Sequence, residues 1–470
     1  MKKTKIICTV GPATDSFEML EKMYRSGMNA VRLNMSHGDH DSHAKVIASV
    51  RRLNEKVVYG GVSLILDTQG PEIRTGFLNN DLELKEGSEI NITVGTRTNV
   101  EDQSFHIDYE GILNAVRVGD KVTIDNGLIN LEVLSKEAQQ MCCRIIDGGS
   151  LKSRRHVNLP GIRVDLPAIT KKDEGDILFG IEQDVDFIAL SFVREANDIR
   201  QLRELLGAKA SKIKVIAKIE DHQGIENIEE IIEVADAIMV ARGDLGVEVS
   251  FYELPNLQRK IVRRCAEKGK RVIVATHLLE SMIENPLPTR AEVTDVANAV
   301  YEQVDAIMLS GETTIGKYPV KCVQFMSQIA CAAERTRGFR FSDNLEFKSD
   351  KQSIASSAVH LAESLQIKAI IVVTRSGRMA DFVTNCRPQS ATIFAFTHVD
   401  KTRRLLALNR SVYSHLIEFS DDPEKTLDTA FRLMIERQCF EPGDKVVVVS
   451  DILIAPGVKA IQVRELPEIE

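Results

Sequence analysis

The 470-residue sequence has no apolar run approaching the roughly 20 residues that cross a bilayer. Its first residues, Met1-Lys2-Lys3-Thr4-Lys5-Ile6-Ile7, are basic and then apolar. That apolar stretch stops at Gly11-Pro12, too short for the core of a secretion signal. The eight cysteines include the adjacent pair Cys142-Cys143 but form no Cys-x-x-Cys, and no Cys/His spacing fits a zinc site. There is no basic excess either. Against 68 Asp+Glu stand 60 Lys+Arg, a formal net charge of -8, which argues against nucleic acid or another polyanion as the main partner. Low-complexity segments are absent as well. Together these features predict a cytoplasmic protein with reduced, buried thiols, no membrane contact and no nucleic-acid partner. The remaining composition, 43% hydrophobic and 27% charged, is that of an ordinary globular chain long enough for about three domains.

Short apolar, β-branched runs recur along the chain. They are Ile6–Val10, Ala30–Asn34, Ser63–Asp67, Phe187–Ser191, Lys214–Lys218, Ala237–Ala241, Val272–Thr276 and Ala306–Ser310. Their hydrophobicity is continuous rather than alternating, as in strands covered on both faces of a parallel sheet. Helical periodicity fills most of the gaps: Phe17, Leu20, Met23 and Tyr24 share a face, as do Val46, Ile47, Val50 and Leu53, and Leu257, Ile261 and Cys265. Thr289 can cap a helix through Val293, Val296 and Val300. Eight strands with following helices fit a (β/α)8 TIM barrel better than an open doubly wound sheet, although strand order is invisible at this level and the open sheet stays possible.

One connection, after Asp67, is about a hundred residues long. Within it the pattern changes to alternation (Leu82, Leu84; Ile90, Ile92, Val94; Val122, Ile124; Ile129, Leu131, Val133), with turns at Lys85–Ser88, Asp125-Asn126-Gly127 and Asp147-Gly148-Gly149. This predicts a small β-barrel domain inserted over the C-terminal face of the main barrel, where it can act as a lid. Beyond residue 345, strands at 370–373, 392–396 and 446–449 alternate with helical stretches, which predicts a separate α/β domain. The expected domains are residues 1–70 with 168–344 (barrel), 71–167 (lid) and 345–470 (C-terminal).

Active sites of such barrels lie at the C-terminal strand tips. Here the tips carry Arg32, Asn34 and Ser36; Asp67 and Thr68; Ser191; Lys218 and Glu220; Arg242, Gly243 and Asp244; Thr276; and Ser310 with Glu312. Any single one reads equally well as a helix cap or a solvated charge. Glu220 and Asp244 end adjacent strands, and two hard oxygen ligands with room for water and substrate suit Mg2+ or Mn2+; a solvated pair, or a salt bridge from Glu220 to Lys218, is the plainer reading. Lys218 shares a face with Glu220 two residues on, so its ammonium can meet an anion held there. In Ala241-Arg242-Gly243-Asp244-Leu245-Gly246, a glycine follows the strand and lets backbone N–H groups approach a carboxylate or phosphate; a tight turn would also want it. Asn34, Ser36, Asp67 and Thr68 combine neutral oxygens with one carboxylate, a set suited to a monovalent cation or to mutual hydrogen bonding. Arg32 and Arg74 flank them and can clamp phosphate.

The segments Arg32–Gly38, Leu66–Arg74, Val157–Gly161, Ala217–Glu220, Met239–Glu248, Asn285–Glu292 and Met308–Thr313 resemble the pyruvate kinase family, in order, from residue 4 to about 335. The resemblance implies transfer of the phosphoryl group of phosphoenolpyruvate to ADP, giving ATP and an enolate that is protonated to pyruvate. It assigns Glu220 and Asp244 to Mg2+, and Asn34, Ser36, Asp67 and Thr68 to K+. Lys218 is matched to stabilisation of the transferring phosphoryl group and enolate, and Arg32 to phosphoryl contact. Gly243, Asp244 and Thr276 are matched to the substrate carboxylate, with Thr276 also implicated in protonating the enol. Arg74, His37 and Lys172 fall on the nucleotide side. Glu72 matches the residue associated with K+ dependence. Thr374-Arg375-Ser376-Gly377-Arg378 resembles the turn that holds a sugar-phosphate effector, whereas the tail near Ala455-Pro456-Gly457 lacks the family's effector loop. His277 follows Thr276 where Gln-Met is frequent. The resemblance also suggests a homotetramer. The rival reading is another Mg2+-dependent barrel enzyme that forms a pyruvate enolate.

Overall fold

The eight continuous apolar runs form eight parallel strands that close into a barrel in chain order: Lys5–Thr9, Ala30–Asn34, Ser63–Asp67, Phe187–Leu190, Lys214–Ile219, Ala237–Ala241, Arg271–Ala275 and Ala306–Leu309. They are called strands one to eight below. The computed structural model describes residues 1–57, 60–94, 104–436, 440–450 and 460–468. Strand one pairs with both strand two and strand eight, so the ring is complete and the open sheet is excluded. The outward side chains meet the helical faces read from the sequence, including Leu20, Met23, Val46, Val50, Ile261 and Cys265. Thr289 caps the helix Arg290–Tyr301 in a reciprocal box with Glu292.

Between strand three and the helix Lys171–Glu182 lies the inserted β unit. Seven strands form one sheet whose edges are Ile73–Arg74 and Ser104–Ile107. A bridge between Thr75 and Ile107, with Gly76 N–H to His106 O at 2.8 Å, joins those edges and partly closes the sheet. Its core holds the alternating residues Ile90, Ile92, Val122, Ile124, Leu131 and Val133. The longest strands include Gln140–Asp147, absent from the sequence reading, which buries Met141, Cys143 and Ile145. Its alternation is real, but it is carried partly by Cys143, which the sequence reading treated as a thiol rather than as a small apolar side chain.

The C-terminal sheet has the order Val412–Leu416, Thr392–Thr397, Ala369–Val373, Lys445–Ser450 and Ala460–Glu465, parallel except for the last strand. The expected strands are present; the two edge strands went unread. Ala455, Pro456 and Gly457 lie outside the described residues.

This domain docks on the N-terminal ends of the barrel strands. Leu408 enters the barrel interior and packs with Ile7, Ile65, Phe187, Ile216, Ile273 and Met308. Around it, Asp305, just before strand eight, receives both terminal nitrogens of Arg387 at 2.6 Å, with both side chains almost wholly buried. Asp186, just before strand four, takes Lys401 and Arg404 at 3.1 Å each. Arg271 opens strand seven and bonds Asn409 at 2.9 Å and Asp381 at 3.0 Å. The C-terminal domain thereby covers the underside, and the opposite rim is left open.

Burial alone would raise the Asp305 carboxyl, but Arg387 and Arg271 outweigh it and hold the group below the ordinary carboxylate range. Its contribution is therefore complete above the unfolded-state value and is lost as pH falls through the folded-state value. Asp305→Asn, which strands a buried guanidinium, should lower stability by about 3 kcal/mol at neutral pH. The variant should also show a shallower loss of stability in acid than the parent chain, measured by urea unfolding from pH 7 downward.

Candidate active site

At the open rim the strand tips converge on one ammonium. Lys218, near the end of strand five, lies 3.0 Å from Asp67 Oδ1, 3.0 Å from Glu220 Oε1 and 2.7 Å from Ser191 Oγ. Burial opposes its charge, yet Asp67 and Glu220 more than compensate and raise the lysine above its usual value, so it stays protonated. The second oxygen of Asp67 is held by Arg32 Nε at 2.5 Å, and Arg32 also reaches Thr9 Oγ1 at 3.2 Å. Burial alone would raise Asp67, but the two cations keep it below the usual carboxylate range.

Glu220 is 2% exposed, and its other oxygen accepts the Phe192 N–H at 2.7 Å. Strands five and six are paired with Lys218 beside Met239, so the helix Arg242–Glu248, which follows strand six, brings Asp244 to the same side. Burial raises both Glu220 and Asp244 above the ordinary range, and Asp244 adds to the effect on Glu220. Two carboxylates that repel each other, Glu220 buried and Asp244 one-third exposed, with a single lysine among them, have the donor chemistry for a divalent cation. Among the described residues no group of three or more His, Cys, Asp or Glu has metal-binding geometry. Mg2+ fits that limit, because it takes one or two carboxylates and completes its shell with water and substrate oxygens. The plainer reading, a Lys218–Glu220 salt bridge, is present as well, and it supplies part of the same charge.

Asn34 and Asp67 are register neighbours on strands two and three, and Asn34 Oδ1 accepts the Ser36 N–H at 3.3 Å. Thr68 Oγ1 accepts the Ser191 N–H at 3.0 Å, and Thr68 O accepts Ser191 Oγ at 2.6 Å. The tips of strands two and three thus bring Asn34, Ser36 and Thr68 next to Asp67, whose carboxylate is held by Arg32, Lys218 and Ser191. Of the residues expected near a nucleotide, Lys172 bonds Met35 O at 2.6 Å and Asp176 at 2.7 Å, and His37 O accepts from His43 at 2.9 Å. A cavity of about 410 Å³ opens there between Met35, Gly38, His40 and Lys172. Arg74 lies on the lid and is tied to Glu72 Oε2 at 2.8 and 2.5 Å.

The loop after strand seven is strained. Thr276 and His277 have φ of 68° and 54°, left-handed values that cost a β-branched residue about 1–2 kcal/mol. Thr276 Oγ1 accepts the Gly243 N–H at 2.8 Å and donates to Ala275 O at 2.7 Å. Two of the three residues assigned to a substrate carboxylate, Gly243 and Thr276, are therefore bonded to each other, and the Gly243 N–H is not free as its place after the strand suggested. His277 is largely exposed, beside Glu280 at 3.8 Å.

Several residues at the mouth escaped the sequence reading. Phe192, with φ of 51°, holds Glu220 through its backbone, and a Cβ on Gly70, where the chain leaves for the lid, would stand 2.8 Å from its ring. His156 and Asn158, on the returning lid strand, reach the Asp244 helix: His156 Nδ1 is 3.7 Å from Asp244, and Asn158 donates to Glu248 at 3.0 Å. Backbone donation carries no sequence signal. The two lid residues were findable, because they flank the point where the chain re-enters the barrel. Far from this mouth, Thr374 accepts the Gly377 N–H at 3.1 Å, and Thr402 donates to Arg375 O at 2.9 Å. Ser376, Gly377 and Arg378 border a cavity of about 350 Å³ between the barrel underside and the C-terminal domain.

A family model described as pyruvate kinase, barrel domain, matches residues 1–323, and one described as pyruvate kinase, alpha/beta domain, matches residues 352–459. The chain is 42% identical over 459 residues to a pyruvate kinase of Geobacillus stearothermophilus, covering 96% of this chain and 78% of the relative. It is 43% identical over 452 residues to the chloroplastic pyruvate kinase isozyme G of Nicotiana tabacum, covering 95% and 80%. To a pyruvate kinase of Clostridium perfringens it is 39% identical over 456 residues, covering 95% and 96%.

Asp67→Asn leaves Arg32 and Lys218 facing each other without their shared counter-charge. The expected loss is about 3–5 kcal/mol in urea unfolding. Arg74→Ala, which removes a pair whose side chains are 28% and 15% exposed, should lower stability by about 1 kcal/mol in the same measurement.

Proposed function

The chain belongs to the pyruvate kinase family and transfers the phosphoryl group of phosphoenolpyruvate to ADP, giving ATP and pyruvate; from that premise we propose that the rim around Lys218 carries the reaction. The observation behind this reading is the buried ammonium held charged by Asp67 and Glu220, with Arg32 beside it. The rival enolate-forming enzymes lose their footing, because the matches span the barrel and the C-terminal domain together.

In this reading a terminal oxygen of ADP attacks phosphorus, the bond from phosphorus to the enol oxygen breaks, and its electron pair stays on the enolate. Arg32 contacts the phosphoryl group, while Lys218 faces the negative charge that shifts from phosphoryl to enolate oxygen. The Gly243 N–H and Thr276 Oγ1 exchange their mutual bond for the substrate carboxylate. Thr276 then gives its hydroxyl proton to C3 of the enolate and recovers one from water, completing pyruvate. Arg74, His37 and Lys172 orient the nucleotide. The lid, anchored by Asn158 on Glu248, excludes water that would otherwise hydrolyse the phosphoryl group. A divalent ion (Mg2+ or Mn2+) held by Glu220 and Asp244, with K+ among Asn34, Ser36, Asp67 and Thr68, would neutralise anionic substrate oxygens.

Three further assignments belong to the same proposal. All described cysteines are free thiols, which supports a reducing, cytoplasmic setting. A phosphorylated sugar at Thr374, Arg375, Ser376 and Arg378 is supported by the adjacent cavity, which Lys214 and Lys270 also line. The family resemblance supports a homotetramer. No helix among the described residues is long and apolar enough to cross a membrane.

Lys218→Met should cut both ATP and pyruvate formation by about 10³-fold with an unchanged circular dichroism spectrum; full activity in that variant would remove the central assignment. Activity should also require K+. Replacing K+ by tetramethylammonium should abolish most turnover, and Glu72→Lys should restore part of it, read in a lactate dehydrogenase-coupled assay.

A further inference from the structure

We propose that Arg242, locked by Asp295, is a positioning residue that holds Thr276 in its left-handed conformation and thereby sets the proton-delivery step independently of phosphoryl transfer. The inference rests on the reading of Thr276 as the proton donor.

The loop after strand seven is fastened at three points. Leu279 N–H donates to Glu312 at 3.1 Å, and Ser281 donates to Glu292 through its N–H at 2.7 Å and its hydroxyl at 2.5 Å. Both of these act beyond the strained pair. Only the third reaches the Thr276 backbone, whose side chain separately meets the Gly243 N–H: Arg242 Nη2 donates to Thr276 O at 2.7 Å. Arg242 cannot drift, since Asp295, on the helix Arg290–Tyr301, grips it through two bonds of 2.7 and 2.8 Å. Its side chain is only 10% exposed, and its Nε is buried with no hydrogen-bond partner. A guanidinium kept in place at that cost to its own hydrogen bonding has a geometric task.

That task follows from the backbone. In an extended strand the Thr276 side chain would continue the alternation of strand seven. The left-handed turn instead points Oγ1 at the Gly243 N–H, one residue from Arg242. Pulling the Thr276 carbonyl towards Arg242 and fixing the hydroxyl over Gly243 are thus two ends of one constraint. A β-branched residue does not keep such a φ unless its surroundings impose it. Releasing the carbonyl lets Thr276 relax and swings the hydroxyl away from the substrate carbon. Arg32 and Lys218, on strands two and five, keep their own partners, so the phosphoryl step retains its cations.

The test measures the two steps apart in the intact enzyme. ATP formation is followed with a hexokinase-coupled assay. Exchange of pyruvate methyl protons for deuterium, in D2O with Mg2+, K+ and ATP, is followed by proton NMR. Arg242→Gln and Asp295→Asn should each lower exchange about tenfold more than they lower ATP formation, and Thr276→Val should lower the same ratio. Arg242→Lys, which can still donate one bond to the carbonyl, should fall between Gln and the parent. Loss of general stability would lower both rates together and leave the ratio unchanged. If Thr276→Val shifts the ratio while Arg242→Gln and Asp295→Asn do not, the positioning role is wrong and the reading of Thr276 survives. If Thr276→Val leaves the ratio unchanged, both are overturned. Should Arg242→Gln fail to fold, Asp295→Asn, which keeps the guanidinium, decides the question.

Discussion

A lysine placed out of water must be surrounded by negative charge, and most of the open rim can be understood from that constraint. Lys218 is charged because Asp67 and Glu220 are within 3.0 Å. Asp67 tolerates complete burial because Arg32 occupies its other oxygen. Glu220, sharing one ammonium with Asp67 and repelled by Asp244, is left short of positive charge. The deficit has a chemical use: a site whose own charges do not quite balance attracts the cations and anions that complete it.

Such a site needs a rigid frame, and the barrel supplies it from the other end. The C-terminal domain fills the underside with Leu408 and rings it with ion pairs at Asp186, Arg271 and Asp305. The strands are thus fixed at their beginnings, while their tips carry the charged groups of the open rim. At those tips the left-handed backbone falls on Phe192, Thr276 and His277, three of the twelve non-glycine residues with positive φ among the described residues. Each lies in a loop whose conformation is imposed by contacts from a neighbouring strand or helix.

Much of this was legible in the sequence because it depends on periodicity. Continuous apolar runs marked the eight barrel strands, and alternation marked Leu82–Leu84, Glu89–Val94, Lys121–Ile124 and Ile129–Lys136 in the inserted unit but not its other strands. The residues at the strand tips then met in space because a closed barrel leaves them no other place. What stayed illegible has physical reasons. Val412–Leu416 and Ala460–Glu465 are edge strands, where packing on one side alone weakens the pattern. Gln140–Asp147 hid behind a pair of cysteines. Phe192 acts through its N–H, which every residue but proline possesses. The bond between Thr276 and Gly243 joins two strands whose relative height no sequence pattern reports.

The position of Leu408 has a consequence for biosynthesis. A ribosome delivers all eight barrel strands roughly a hundred residues before it delivers the side chain that completes their interior. During that interval the nascent barrel presents an open, greasy base, the kind of surface that chaperones cover and that neighbouring chains invade. The barrel therefore reaches its final packing only after residue 408 has been made, and a messenger truncated before that point would yield a barrel with an unfilled floor.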